Sequence, residues 1–354
     1  MNSRSKKRHI PVLKEDVEKF LDLKEGGVVA DLTLGLGGHA EIILKKIGKN
    51  GYLYAFEQDA RNLKEAKIGL SAYKNQITYV HDNFRYLKSR VTEASGKRPS
   101  AALPKNIDPH VRSSTLRSTF SGCLASGHFP EASTGNVDAI LLDLGLSSPH
   151  VDIAESGFSF MADGPLDMRF DQRNVLTAGD VINVYPESRL VKIFFEYGEE
   201  RLAKKIARDI CTRRLEKKFS STKELADYIE EIVPKKYSKA MKGHPATKIF
   251  QALRIEVNDE LSALKEVLPQ AMEILKPNGR IVIISYHSLE DRIVKQFFKG
   301  LERPKAEGQD AIYSNFGEPI VKALTKKPVI PTQKEIEENN RSRSAKLRAY
   351  QKLK

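Results

Sequence analysis

The chain has 354 residues, 40% of them hydrophobic, which is enough for one large domain or two ordinary ones with a real core. A formal net charge of +13 and an isoelectric point near 9.4 point to a polyanionic partner, nucleic acid ahead of an anionic membrane, with a merely solvated basic surface as the plain alternative. No apolar run approaches the roughly 18 residues that cross a bilayer, and two cysteines outside any motif, Cys123 and Cys211, exclude a disulfide framework and indicate a reducing compartment. The start, Met1 to Arg8, is basic with no apolar stretch behind it. A cytoplasmic protein is expected, a clipped organellar targeting tail being the alternative.

The first predicted unit is Val28-Val-Ala-Asp31-Leu-Thr-Leu-Gly35-Leu-Gly37-Gly38-His39, a short apolar strand that meets a carboxylate, a glycine turn and a helix start. Its spacing is not the G-x-G-x-x-G of a pyrophosphate cradle, and Asp31 makes a cationic or zwitterionic ligand at least as suitable as an anionic one. A turn that only packs a helix on a sheet fits it equally. Gly51 to Glu57 reads as a second buried strand, with a helix from Arg61; Ile77 to His81 reads as a third strand, and Val137 to Asp143 as a fourth. Three of these strands finish on acids. In an open parallel sheet the ligand crevice lies outside the carboxyl ends, so Asp31, Glu57 and Asp143 are expected to converge there.

Between the third and fourth strands the segment from about 94 to 136 is basic, rich in Ser, Ala, Gly and Pro, and without sustained periodicity, as expected of a disordered insert. His110, Cys123 and His128 within it lack metal-ligand spacing, and no metal site is expected. From Pro149 to about Gly243 buried strands give way to helices, including Glu187–Tyr197, Glu199–Arg213 and Thr222–Ile232. The expected organisation is a core over 1–150, an inserted helical domain over 151–244, and a return to the core over 245–354 with a basic tail. Within 245–354 a long helical region, Ala246 to Leu275, carries Ile249, Leu253, Val257, Leu261, Leu264 and Leu268 at helical spacing, and Pro277-Asn278-Gly279 stops it. The strand Arg280 to Tyr286 follows, then His287-Ser288, with Ser288 and Asp291 resembling a capping box.

Glu57 stands about twenty residues beyond the glycines, where α/β nucleotide binders place the acid that accepts both ribose hydroxyls; it would otherwise serve to cap the next helix. Phe84 after the third strand fits an adenine or the core. Without a Walker lysine or a phosphate cradle, the pocket favours S-adenosylmethionine over NAD or ATP, because an ammonium and a sulfonium suit the Asp31 side. Asp143, in Asp143-Leu-Gly145-Leu-Ser147-Ser148-Pro149, is the candidate catalytic residue: an acceptor of its N–H groups would help an exocyclic base amine, whose lone pair is delocalised, to rehybridise as it attacks a methyl group. The tetrapeptide expected of many amine methyltransferases is absent, which leaves the target atom open. His287 and Ser288 are candidates for a base or phosphate contact, or a helix cap with an incidental histidine. Asp167 and Arg169, in Gly157 to Arg169, are either a loop ion pair or a portion of a substrate pocket.

Together these blocks closely resemble the bacterial RsmH (MraW) family, which methylates N4 of a cytidine in 16S rRNA at the decoding centre of the ribosome. The matching runs are His9 to Leu13, Thr33 to His39, Leu141 to Pro149, Gly157 to Arg169, Tyr197 to Arg201, Phe250 to Ile255, His287 to Lys295 and Arg343 to Arg348, in the order of the family and across nearly the whole chain. The resemblance implies an α/β fold, a class I S-adenosylmethionine-dependent methyltransferase (Rossmann-like) sheet with an inserted helical substrate-recognition domain. Carried over by position, the cofactor contacts are Gly37, Gly38, His39, Glu57, Phe84, Asp143 and His150. The implied partner is 16S rRNA in the 30S subunit, with monomer and homodimer both open. Two departures stand out: family members often have Asp where Glu57 stands, and the 94–136 segment exceeds the family's connection. A mitochondrial counterpart and a catalytically silent RNA-binding assembly factor are the competing functions; Gly37, Gly38 and Asp143 argue against the second.

Overall fold

The strands expected at the amino-terminal end assemble side by side in a computed structural model, which describes residues 11–95, 137–240, 243–304 and 317–354. Strands β1 (Val28–Asp31), β2 (Tyr52–Phe56), β3 (Ile77–Val80), β4 (Val137–Asp143), β5 (Leu275–Ser285), β6 (Val321–Ala323) and β7 (Lys346–Lys352) form one sheet in the order β3-β2-β1-β4-β5-β7-β6. The first five are parallel, while β7 runs antiparallel to both β5 and β6. The order reverses between β1 and β4, which opens a crevice at their carboxyl ends. This is the doubly wound α/β sheet that the resemblance implies.

Alternation along the strands explains the two layers. Ala30, Tyr54, Phe56, Ile140, Leu142, Ile281 and Ile283 share one apolar cluster, while Val29, Leu53, Ala55, Ala139, Leu141, Val282 and Ile284 share the other. Helices α1 (Lys14–Leu21), α2 (Gly38–Ile47) and α3 (Ala60–Gly69) cover the second face with Val17, Leu21, Ile43, Leu44, Ile47 and Leu63. Helix α4 (Leu87–Ser95) lies on the first face through Leu87 and Val91. After α5 (Ser148–Asp152) the chain builds a third apolar cluster from α6 (Ala178–Val184), α7 (Glu187–Glu196), α8 (Ala203–Glu216) and α9 (Thr222–Ile232), with α10 (Lys235–Ala240) following. The approach to that cluster is fixed by a reciprocal pair: Thr222 N–H donates to Gly164 O at 2.8 Å, and Gly164 N–H donates to Thr222 Oγ1 at 3.1 Å.

The helical region expected to run unbroken from Ala246 to Leu275 is two helices, α11 (Thr247–Asn258) and α12 (Glu260–Ile274), which meet at Asp259 with φ 50°. Ile249, Leu253 and Val257 of α11 pack in the helical cluster, whereas Leu264 and Leu268 of α12 pack on the sheet. Packing thus groups α11 with the helical cluster and α12 with the sheet. Apolar spacing continues across the break because both halves bury a stripe, against different neighbours. Helix α12 ends at Ile274, three residues before Pro277, and the chain enters β5 at once; the Pro277–Gly279 excursion fits as a register shift between β4 and β5. Helix α13 (Ser288–Glu302) starts with His287 as its N-cap, in place of Ser288. Glu290 reaches back to accept the N–H groups of Tyr286 and His287, at 2.8 and 3.2 Å. Residues 96–136 of the expected insert lie outside the described residues. No helix among those described is long and apolar enough to cross a membrane.

The tail expected to be merely basic and polar supplies β7 after α14 (Gln333–Glu338). Leu347 and Ala349 are fully buried, and Tyr350 stacks on Phe298 of α13 with ring centroids 3.8 Å apart. Arg348 is buried between them because Asp291 of α13 takes its guanidinium, Nε to Oδ1 at 2.7 Å and Nη2 to Oδ2 at 3.2 Å. Truncating one member of a mostly buried pair strands the other charge, so Arg348→Ala is expected to lower stability by about 3 kcal/mol. Urea denaturation checks this, and a change below about 0.5 kcal/mol would show the pair to be dispensable.

Candidate active site

At the switch point between β1 and β4 a cleft opens, walled by the Leu32–Leu36 turn, Gly38 and His39, by Phe56, Glu57 and Gln58 after β2, and by Asn83 and Phe84 after β3. Asp143 to Ser147 close it after β4, and Ala263, Leu264 and Glu290 come from α12 and α13. The turn itself is shaped by Gly37, whose φ is 85° and whose absent side chain lets Leu70 approach: a Cβ there would meet Leu70 Cδ1 at 2.9 Å. Of the expected cofactor contacts Gly37 alone is absent from the wall; its place is in the turn and in the packing of α2 on the 66–70 segment. Gly38 does line the cleft, with Pro11 against it.

Glu57 is held from both sides. Its Oε2 accepts the N–H of Gly35 and its Oε1 the N–H of Asp59, each at 2.8 Å. The carboxylate keeps lone pairs for a diol, and Phe84, buried to 8% exposure, shares the neighbouring apolar wall with Ala263 and Leu264. Of these two α12 residues the sequence shows Leu264 only as a member of an apolar stripe, and nothing in it marks Ala263. Asn83, beside Phe84, donates to the side-chain oxygen of Gln58 at 2.8 Å, which fixes the polar rim.

Asp143 sits at the end of β4. Its N–H donates to Thr33 Oγ1 at 2.6 Å, Tyr286 Oη donates to its Oδ1 at 2.8 Å, and His39 Nε2 lies 3.7 Å from its Oδ2. Tyr286 is thus a site residue that the sequence did not single out. Asp31 is 1% exposed and outside the cleft wall; its Oδ1 accepts Thr33 N–H at 3.1 Å, and its Oδ2 has no hydrogen-bond partner. A buried carboxylate oxygen without a donor, electrostatically coupled to Asp143, suits a ligand that brings positive charge.

His150, buried to 5% exposure, lines the cleft with both ring nitrogens engaged, Nδ1 3.0 Å from Ser147 Oγ and Nε2 3.1 Å from Asp59 Oδ2. Its ring packs against both Phe158 and Phe170, with centroids 5.0 and 4.9 Å away, and the two phenylalanines stack on each other at 5.1 Å. Burial works against ionised Asp59, yet the hydrogen bonds from His150 and Arg61 hold its carboxyl well below the usual range. Asp167 and Arg169 are not in the wall. They form a two-pronged ion pair, Nε to Oδ1 at 2.9 Å and Nη2 to Oδ2 at 2.7 Å, and Arg169 Nη1 also donates to Asn174 O at 2.6 Å. The pair shapes the loop that presents Phe170 to the cleft. His287 and Ser288 line a second cavity instead, with Tyr286, Ile330, Pro331, Ile336 and the 343–346 segment. Among the described residues no group of His, Cys, Asp or Glu is placed to hold a metal ion.

Burial dominates the ionisation of the site. It pushes Asp31 and Glu57 up to about 7 and Asp143 up to about 6. Because these folded-state values exceed those of the unfolded chain, folding takes up protons between about pH 4 and 7, and stability is lost as pH rises through that window. Asp59 has the opposite sign, but its contribution disappears only below the ordinary carboxylate range. The unliganded protein is expected to melt at least about 3 °C lower at pH 8 than at pH 5.5. A cationic ligand reverses the balance, so the melting shift given by S-adenosylmethionine should grow with pH. Differential scanning fluorimetry with and without cofactor checks both signs, and a pH-independent shift would contradict them.

A doubly wound sheet whose switch-point cleft holds a carboxylate tied to two backbone donors, an apolar wall and the buried Asp143 is that of a class I S-adenosylmethionine-dependent methyltransferase. Residues 6–353 match the model of the MraW methylase family, and the chain belongs to that family. It is 43% identical over 350 residues to the ribosomal RNA small subunit methyltransferase H of Streptococcus mutans serotype c, an alignment that covers 98% of each chain. Proteins of the same name from Streptococcus dysgalactiae subsp. equisimilis and Carboxydothermus hydrogenoformans are 41% and 44% identical, again over 98% of each chain.

Proposed function

We propose that this chain methylates N4 of a cytidine in 16S rRNA, at the decoding centre, acting on assembled or nearly assembled small subunits in the cytoplasm. The observation that carries the reading is the convergence in one cleft of Glu57, held by two backbone donors, and Asp143, held by Thr33 and Tyr286. The residues fit the cofactor. Glu57 would take the ribose hydroxyls, Phe84, Ala263 and Leu264 would flank the adenine, and Gly38 and His39 would face the methionine moiety, with Gly37 setting the turn and Asp31 adding negative charge from behind the wall. His150 braces the wall between Asp59 and Phe170. S-adenosylmethionine supplies an electrophilic methyl group on a sulfonium.

Asp143 then acts on the target amine. Its carboxylate would accept an N–H of the cytosine amine, which lets the nitrogen lone pair leave conjugation with the ring. As the C–N bond forms the methyl–sulfur bond breaks, its electron pair stays on sulfur in the S-adenosylhomocysteine that leaves, and one amine proton is lost by way of the Asp143 carboxylate to solvent. Desolvation strengthens that hydrogen bond. Asp167 and Arg169 act indirectly, through the loop that carries Phe170, and His287 and Ser288 belong to the second cavity at the far side of Tyr286. A net charge of +13 supports an RNA substrate through counterion release, so transfer should weaken steeply with salt.

The test is to incubate the protein and labelled S-adenosylmethionine with small subunits from a strain lacking the activity, then to map the modified nucleotide by mass spectrometry. Label on N4 of one decoding-centre cytidine is the expected result. Transfer to another atom or base would overturn the assignment, and transfer only to free rRNA would overturn the assembled-subunit substrate.

A further inference from the structure

Tyr286 is fixed at both ends. Its backbone N–H donates to Glu290 Oε2 at 2.8 Å, and its hydroxyl donates to Asp143 Oδ1 at 2.8 Å. The ring reaches Asp143 because residue 145 is glycine: a Cβ there would lie 2.6 Å from ring Cε2 and 2.7 Å from Cζ. Only a residue without a side chain at 145 leaves this slot open. Burial, and next the Asp143 charge, raise the phenol well above its ordinary value, so the hydroxyl stays a donor throughout the working pH range. One oxygen of Asp143 is thereby occupied and the plane of the carboxylate is set.

We propose that Tyr286 is a positioning residue for methyl transfer: by holding Oδ1 of Asp143 it turns Oδ2 toward the target amine and favours the ionised carboxylate. The inference rests on the reading of Asp143 as the acceptor of the amine. The other groups that bear on this carboxylate are His39 from α2, with Nε2 3.7 Å from Oδ2, Glu290 from α13, Asp31 from β1 and the N–H of Gly145. Glu290 opposes ionisation, and the Tyr286 and Gly145 donors favour it; on Tyr286 itself Glu335 of α14 adds a further negative influence. A hydroxyl donor to a charged acceptor inside a protein is among the stronger hydrogen bonds, so its removal must show in the ionisation of Asp143.

The experiment uses Tyr286→Phe in the full chain, which keeps the ring in its slot and removes only the donor. Methyl transfer to small subunits is followed from pH 5.5 to 9, with KM for subunits and for S-adenosylmethionine, and with S-adenosylhomocysteine binding as a check on folding. Both KM values are expected within about twofold of wild type, with the acid limb moved up by about one pH unit, so that kcat is about threefold lower near pH 6.5, nearly tenfold lower at pH 5.5, and recovers above pH 8. A wild-type limb and rate would overturn the proposal, as would a loss of equal size at every pH, which a packing role alone would give. Asp143→Asn in the same assay separates the two layers. If it remains active, the reading of Asp143 fails and takes this inference with it; if it is inactive while Tyr286→Phe behaves as wild type, only the role of Tyr286 falls.

Discussion

Asp143→Asn is expected to reduce kcat for methyl transfer by at least about 10³-fold while cofactor affinity changes by less than about tenfold. The substitution keeps the shape of the side chain. The amide oxygen can still accept the Tyr286 hydroxyl, now 2.8 Å from Oδ1, and the backbone N–H still reaches Thr33. What changes is the other end, where an acceptor becomes an NH₂ donor facing the N–H of the substrate. Donor then meets donor, and the interaction that frees the lone pair of the nitrogen is replaced by repulsion. Because burial lifts Asp143 to about 6, the wild-type protein carries a poorly solvated charge at neutral pH. Removing it should leave the melting temperature unchanged or slightly raised. Single-turnover transfer of labelled methyl groups, together with thermal melts, checks this; a variant with even a tenth of wild-type kcat would remove Asp143 from the chemistry.

How far the sequence reveals this site depends on how each residue is packed. Asp31, Glu57 and Asp143 are legible because parallel strands buried on both faces read as unbroken apolar runs, and a carboxylate that ends such a run stands out. The convergence of Glu57 and Asp143 follows from strand order, whereas the withdrawal of Asp31 behind the wall depends on side-chain direction, which no run of letters conveys. Tyr286 closes an apolar strand and looks like core; its hydroxyl acquires meaning only from Gly145 and Asp143, about 140 positions away in the chain. The β7 strand is hidden because Arg348 interrupts its alternation, and only Asp291 makes that burial tolerable. The break at Asp259 is hidden for the opposite reason, since the apolar spacing of α11 and α12 runs on while the surfaces they cover differ. Asp167 and Arg169 are legible as a pair, but which way the loop faces is set by Asn258, whose side chain accepts Phe170 N–H at 2.8 Å and donates to Met168 O at 2.7 Å.

Glu57→Gln is expected to weaken binding of S-adenosylmethionine and S-adenosylhomocysteine by about 100-fold, or about 2.7 kcal/mol, with little further change in kcat once the cofactor saturates. The two oxygens of Glu57 each accept a backbone N–H, from Gly35 and from Asp59. A glutamine has one acceptor, so whichever way its amide turns, an NH₂ confronts a backbone donor and either the glycine turn or the start of α3 loses its tie. The diol loses half of its acceptor at the same stroke. Burial raises Glu57 to about 7, so the variant also sheds a costly charge, and its unliganded melting temperature should depend less on pH than that of wild type. Glu57→Asp asks a different question. The shorter acid keeps the charge but cannot span both donors from the present backbone, so an intermediate loss of about tenfold is expected unless the end of β2 moves toward the turn. Isothermal titration at pH 8, where the carboxylates are ionised, measures all three proteins on one scale. Affinity of Glu57→Gln within about threefold of wild type would mean that the ribose is held elsewhere in the cleft, and that Glu57 serves only to tie Gly35 to Asp59.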